Sequence, residues 1–186
     1  MFLKHLLVGL FELVLMTFMC GLLIYIIYRV FIKATPEIDM EKELKNGNVA
    51  VGILVASIMV SAGIMVQKGL VASVGMFKMS LFAPSEFTLP VWQTALVILG
   101  HLILSLAVTV FVLSMTLRLF AHLVRRINPE LRAGRLGLQL VQGNIAVGLV
   151  LSAVMFMTTL YVSEGVSALT KALVVQPSIG TIQIMR

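Results

Sequence analysis

Apolar residues fill the chain in four long runs separated by short polar stretches. The first covers about Leu6 to Tyr28. The second runs from about Val49 to Val66 and extends toward Val74. The third runs from about Val91 to Leu117, and the fourth from about Ile145 to Val162, extending toward Val175. Each approaches the ~20 residues that carry an α-helix across a bilayer's hydrocarbon. The runs are continuous and lack the two-residue alternation of a barrel strand. The pattern predicts an all-α integral membrane protein with four transmembrane helices and no soluble domain.

The polar punctuation repeats. Gly47-Asn48-Val49-Ala50-Val51-Gly52 recurs 96 residues later as Gly143-Asn144-Ile145-Ala146-Val147-Gly148, and each copy opens an apolar run. Ungapped pairing of 47–75 with 143–171 matches nine positions, five of them within six residues. Composition alone explains roughly two or three. A softer register over the first and third spans pairs Arg29 with Arg118, Leu13 with Leu102, Leu15 with Leu104 and Phe31 with Phe120. The chain therefore reads as one domain, 1–186, holding one membrane hairpin written twice. Repeat 1 spans about 6–80 and repeat 2 about 91–175, followed by an irregular tail over 176–186. Two spans per repeat imply parallel repeats, related by a pseudo-two-fold axis along the membrane normal.

The repeated motif has a local mechanical meaning. Gly47 and Gly143 allow a sharp turn, and Asn48 and Asn144 suit a helix N-cap. Gly52 with Ala56, and Gly148 with Ser152, are small residues four apart, the spacing at which membrane helices approach closely. The second and fourth spans are accordingly expected to pack together at the centre through these faces. A ligand site at the two Asn caps is the less expected use of the motif. Between the first two spans, Pro36 to Lys45 predicts a short surface helix, with acidic residues early and lysines late. Arg118 to Ile127 predicts an amphipathic continuation of the third span, its arginines reaching phospholipid headgroups.

Composition agrees with the pattern: 60% of residues are apolar and 12% charged, about half the charge of a soluble domain, with a mean hydropathy of +1.07. The net charge of +6 sets topology. Arg29, Lys33, Lys42, Lys45, Arg118, Arg125, Arg126, Arg132 and Arg135 lie on the hairpin loops. Lys4, Lys68, Lys78, Lys171 and Arg186 lie on the other side. Nine against five places the hairpin loops in the cytoplasm and both termini outside. No aromatic-interleaved basic motif accompanies the charge, so nucleic acid is not an expected partner. The first span exceeds a signal-peptide core and lacks an Ala-x-Ala exit, so it is expected to remain as a span. Bulky Met19 before Cys20 fits a lipidation site poorly. Cys20, the sole cysteine, forms no internal disulfide and no cysteine metal cluster.

Ionisable residues inside spans are functional suspects: Glu12, Lys68, His101 and Glu164. Lys68 and Glu164 each lie 20 residues past their Asn caps, roughly 30 Å up. Glu12 and His101 each lie 17 residues from Arg29 and Arg118, roughly 25 Å up. All four are thus expected at similar height in the outer half of the bilayer, with Lys68 meeting Glu164 across the pseudo-axis and Glu12 and His101 nearby. The structural alternative is interfacial: Lys68 and Glu164 reach water, and His101 caps a carbonyl in a packed core. The 12 methionines are scattered and suit gap-filling better than copper binding. Phosphate loops, His-Glu-x-x-His motifs and nucleophile–base pairs are missing.

The paired two-helix plan, each half opening its second helix with Asn-x-Ala, resembles the YjfL-like bacterial inner-membrane family. Ala34-Thr35-Pro36-Glu37 and Lys45-Asn46-Gly47-Asn48-Val49-Ala50 carry the likeness, echoed by Asn128-Pro129-Glu130 and Gly143-Asn144-Ile145-Ala146. It spans about residues 6–170. The second copy departs by three extra residues between its proline and its Gly-Asn pair. The resemblance implies a bacterial inner-membrane location and this fold, but no chemistry. The expected role is a non-enzymatic subunit of a homo-oligomeric or larger membrane complex. The alternative is a proton or small-ion pathway through the polar cluster. No cofactor is expected, though bound lipid is compatible. Expected partners are the bilayer, further copies or other inner-membrane proteins, and a cytoplasmic protein at 33–46 and 118–142.

Overall fold

A computed structural model describes residues 2–32, 39–82, 90–127 and 135–173. The described residues contain six α-helices: α1 Phe2–Ile27, α2 Met40–Lys45, α3 Val49–Phe82, α4 Val91–Ile127, α5 Arg135–Val141 and α6 Ile145–Leu173. A single π-helical stretch, Tyr28–Ile32, extends α1. Four helices are long and apolar enough to cross a membrane. They coincide with the four apolar runs, and α3 and α4 continue well past the length a bilayer requires. Of the surface helix expected over Pro36 to Lys45, α2 is the described part; its cap is Asp39, accepting from the Lys42 amide at 3.0 Å. Pro36 itself lies outside the described residues, as does the 176–186 tail. The amphipathic face expected beyond Arg118 falls largely on side chains outside the described set, although the backbone is helical to Ile127. Helix α5 was not apparent in the sequence; at seven residues it shows less than two turns of periodicity.

Helix α3 is the hub. It packs most extensively on α6, then on α4, then on α1. More than half of its apolar window is buried, against a third or less for the other three long helices. Antiparallel α1 lies along it, with Phe11 stacked on Phe77 and His5 on Phe82. Lys4 donates to the Leu81 carbonyl at 3.0 Å, completing the last turn of α3. The interior is one apolar cluster, drawing Met19 and Leu23 from α1, Ile58 and Met65 from α3, Leu113 from α4 and Met155 from α6.

The two Gly-Asn motifs build the same corner. Gly47 and Gly143 have positive φ, 75° and 79°, a backbone region that L side chains rarely adopt. At the first corner Gly47 N–H bonds Leu44 O and Asn48 N–H bonds Glu43 O. At the second, Gly143 N–H bonds Leu140 O and Asn144 N–H bonds Gln139 O. Both are Schellman closures. Each asparagine then caps the long helix that follows. Asn48 Oδ1 accepts from Ala50 and Val51, and Asn144 Oδ1 from Val147.

Helices α3 and α6 run side by side in the same direction. A Cβ placed on Gly148 would lie 2.7 Å from the Ala50 carbonyl oxygen, so the backbones touch there. One turn on, Ser152 Oγ donates to the Ile53 carbonyl at 3.3 Å. The Gly148–Ser152 face thus forms the seam. The matching Gly52–Ala56 face does not: Gly52 looks toward Leu44 of α2, and Ala56 is exposed. Leu44 folds over the face that an exact two-fold would have turned toward α6, and Ala50 supplies the small contact instead.

Candidate functional site

The sequence-singled ionisable residues separate into three places. Lys68 and Glu164 form an ion pair, Nζ to Oε1 at 2.8 Å. They follow from the parallel contact of α3 and α6: each stands 20 residues beyond its capping asparagine, so both arrive at one level. The pair lies on the outside of the bundle, with side-chain exposure of 35% for Lys68 and 73% for Glu164. Glu12 is elsewhere, 3.6 Å from Lys78 near the end of α3. His101 is buried, with 6% exposure. Glu12 pairs with Lys78 and His101 bonds Val97, so neither is bonded to the Lys68–Glu164 pair and the expected four-residue cluster is not joined. The soft pairing of the first and third spans is the reason it fails. Helix α1 packs on α3, which supplies Glu12 with a cation, while the His101 face of α4 turns inward.

Relative to α4, the pair lies nearer the middle than a count from the capping asparagines gives. Helix α4 crosses α3 where a Cβ on Gly69 would collide with the Ser105 side chain. Ser105 stands 13 residues from Trp92 and 13 from Arg118, roughly 20 Å from each. Lys68 adjoins Gly69, so the ion pair is level with the middle of the apolar stretch of α4. Counting from Asn48 placed it higher, because α3 starts well below the level of Arg118.

Beneath the surface pair lies a buried polar seam. On α4, Thr94, His101, Ser105, Thr109 and Thr116 are buried at spacings of seven, four, four and seven, one face of a helix. Ser57, Ser61 and Ser73 of α3 and Ser152, Thr159 and Ser163 of α6 are buried as well. Several hydroxyls bond the carbonyl a turn earlier on their own helix, Thr109 to Ser105 O at 2.7 Å and Ser73 to Gly69 O at 3.0 Å among them, which removes their unmet polarity. His101 Nδ1 lies 3.0 Å from Val97 O. A carbonyl only accepts, so Nδ1 carries the hydrogen and Nε2 holds a lone pair in the neutral ring. Among the described residues, Nε2 and the hydroxyls of Ser61, Ser105 and Thr159 are buried without a partner. The stripe was readable as hydroxyl residues in a helical period, but only His101 stood out by charge.

Asn48 reaches further than a cap. Its Nδ2 donates to Glu43 Oε2 at 2.9 Å and to the Leu140 and Val141 carbonyls at 2.8 and 3.2 Å, tying the last turn of α5 to the foot of α3. Close by, Glu41 accepts from Tyr28 Oη at 2.9 Å and from Lys45 Nζ at 2.8 Å. The hydrogen bond to Glu41 holds the Lys45 ammonium pKa above its usual value. On another face, an apolar groove of about 700 Å³ runs between the end of α1 and α4, lined by Ile26, Val30, Ile103 and Phe111, with Arg118 also at its wall. Among the described residues no three His, Cys, Asp or Glu side chains gather as a metal site needs.

Helices of this length and polarity, with their few charges on helix surfaces, define a multi-pass membrane protein. The chain belongs to the family described as Domain of Unknown Function (DUF350), whose model matches residues 5–166. No curated protein and no solved structure matches it.

Proposed function

We propose that the chain is a non-enzymatic subunit of the bacterial inner membrane that assembles with further copies or with other membrane proteins. The outward-facing Lys68–Glu164 pair, level with mid-span, carries this reading. A charged side chain at the centre of a lipid-facing helix costs ~2.5–3.5 kcal/mol on insertion scales, and such residues ordinarily face protein or water. Cover by another protein surface removes that exposure. The two hairpins are parallel repeats about a pseudo-two-fold axis along the membrane normal. The matching Gly-Asn corners and the parallel α3–α6 contact support this. The basic loops place α2 and α5 in the cytoplasm, where their surfaces suit a soluble partner. The α1–α4 groove suits a lipid chain, with Arg118 beside an anionic headgroup. Native mass spectrometry from mild detergent or nanodiscs tests the assembly: a mass above one copy, or a stoichiometric co-purifying protein, is expected. A lone monomer in both media overturns it.

One observation favours a second reading, a proton or small-ion pathway. His101 Nε2 and three hydroxyls lie unpartnered within the spans, and a histidine lone pair in such a seam accepts a proton. Proton or cation flux through liposomes holding the purified protein is the measurement. This reading expects His101→Ala to abolish flux and Glu12→Gln, at the Lys78 pair, to leave it. Absence of flux in the native protein ends it.

A further inference from the structure

The surface that carries Lys68 and Glu164 is self-complementary, and its shape in charge identifies the occupant. The two side chains are 2.8 Å apart and at one level, one on each of two parallel helices. Rotation by 180° about an axis along the membrane normal keeps that level and exchanges left for right. A second copy facing the first therefore sets its Glu164 opposite Lys68 and its Lys68 opposite Glu164. Four alternating charges then close a ring, and neither copy presents an ion to lipid. An unrelated partner would need its own matched cation and anion at this depth. The surroundings fit a helix–helix interface. Val71 of α3 stands within a turn of Lys68 and Val60 about two turns before it; Leu160 and Tyr161 of α6 stand within about a turn of Glu164 and Met157 two turns before it, all of them exposed. Tyr161, at 79% exposure, offers a phenolic hydroxyl that has no water to bond in mid-bilayer and finds polar groups in the ring.

We propose that two copies of this chain pair in parallel across the α3–α6 face, with Lys68 and Glu164 of each copy bonded to Glu164 and Lys68 of the other. The proposal rests on the assembly reading and narrows it to a partner and a face. Differently tagged copies are co-expressed and captured from nanodiscs. Lys68→Glu leaves two anions on the face, and Glu164→Lys leaves two cations. Each variant alone is expected to lose self-capture by about tenfold or more, since like charges face each other. The two variants together are expected to recover it, although the intramolecular pair stays broken in both. Self-capture of either variant at the native level overturns the proposal, and so does a mixture of monodisperse variants that captures no better than each alone. A second measurement leaves the charges intact. Tyr161→Cys in a Cys20→Ser background is treated with a short bismaleimide in membranes. A dimer band is expected, and its absence overturns the proposed face. A native chain that is monomeric by mass spectrometry sinks both readings. Native assembly without the Tyr161→Cys cross-link sinks this one alone.

Discussion

Asn48 and Asn144 occupy the same place in two copies of one corner, yet only Asn48 is seen to reach a second element. Both accept backbone amides at the start of a long helix, but Asn48 also spends its amide hydrogens on Glu43, Leu140 and Val141. Asn144 is exposed. Loss of a cap costs ~0.5–2 kcal/mol, and the bonds lost to Glu43, Leu140 and Val141, each worth ~0.5–1.5 kcal/mol net, add to that. Asn48→Ala is therefore expected to destabilise by about 2 kcal/mol or more, and Asn144→Ala by about 1 kcal/mol. Reversible denaturation in mixed micelles followed by circular dichroism reads the difference, and equal losses would remove the inter-element role of Asn48. The cap was legible in the sequence, because an Asn after a Gly and before an apolar run has few other local uses. The bond to α5 was not, because the residues it joins are 92 and 93 apart.

The long helices were legible as elements because hydrophobic length is a local property. Their faces were not. Gly52 and Gly148 are equivalent in the repeat, but Gly148 lies against the Ala50 backbone while Gly52 has its nearest atom, Leu44 Cδ2, at 4.0 Å. Gly148→Ala would force α3 and α6 apart, and overpacking of this kind costs ~1–3 kcal/mol. Gly52→Ala is expected to be neutral or slightly stabilising, since alanine loses less entropy in a helix. Thermal unfolding in detergent should separate the two, and a Gly148→Ala protein as stable as the native one would contradict the close seam. The His101 face of α4 teaches the same lesson. Its hydroxyls recur at a helical period, but a stripe turned to lipid and a stripe turned to protein read alike until α3 and α6 are placed beside it.

Across the described residues α2 and α5 sit at one end of the bundle and the start of α1 with the end of α3 at the other, as antiparallel α1 and α3 require. The excess of arginine and lysine on the loops expects α2 and α5 inside the cell. In a Cys20→Ser background, an impermeant maleimide applied to spheroplasts should label Phe2→Cys and spare Asn46→Cys and Gln142→Cys until the membrane is permeabilised. The opposite pattern would invert the topology and move the basic loops outside. Phe2 is 80% exposed on the bundle, and labelling after permeabilisation separates sidedness from burial.

The sequence by itself determined the four apolar helices, the two glycine-asparagine corners and the meeting of Lys68 with Glu164. These depend on quantities that act locally or add along a helix: hydrophobic length, the φ that only glycine adopts readily, and a rise of ~1.5 Å per residue counted from two matching caps. Tertiary structure alone decided that Glu12 belongs to Lys78, that His101 turns into the bundle, that Leu44 covers Gly52, and that the ion pair faces outward at mid-span. Each of those rests on a helix's rotation and height relative to its neighbours. An α-helix turns about 100° per residue, so a shift of two residues in contact register, such as Gly148 on Ala50 instead of Gly52, carries a side chain to the other face. The energy that chooses the register is close packing between elements far apart in the chain, which no single apolar run encodes.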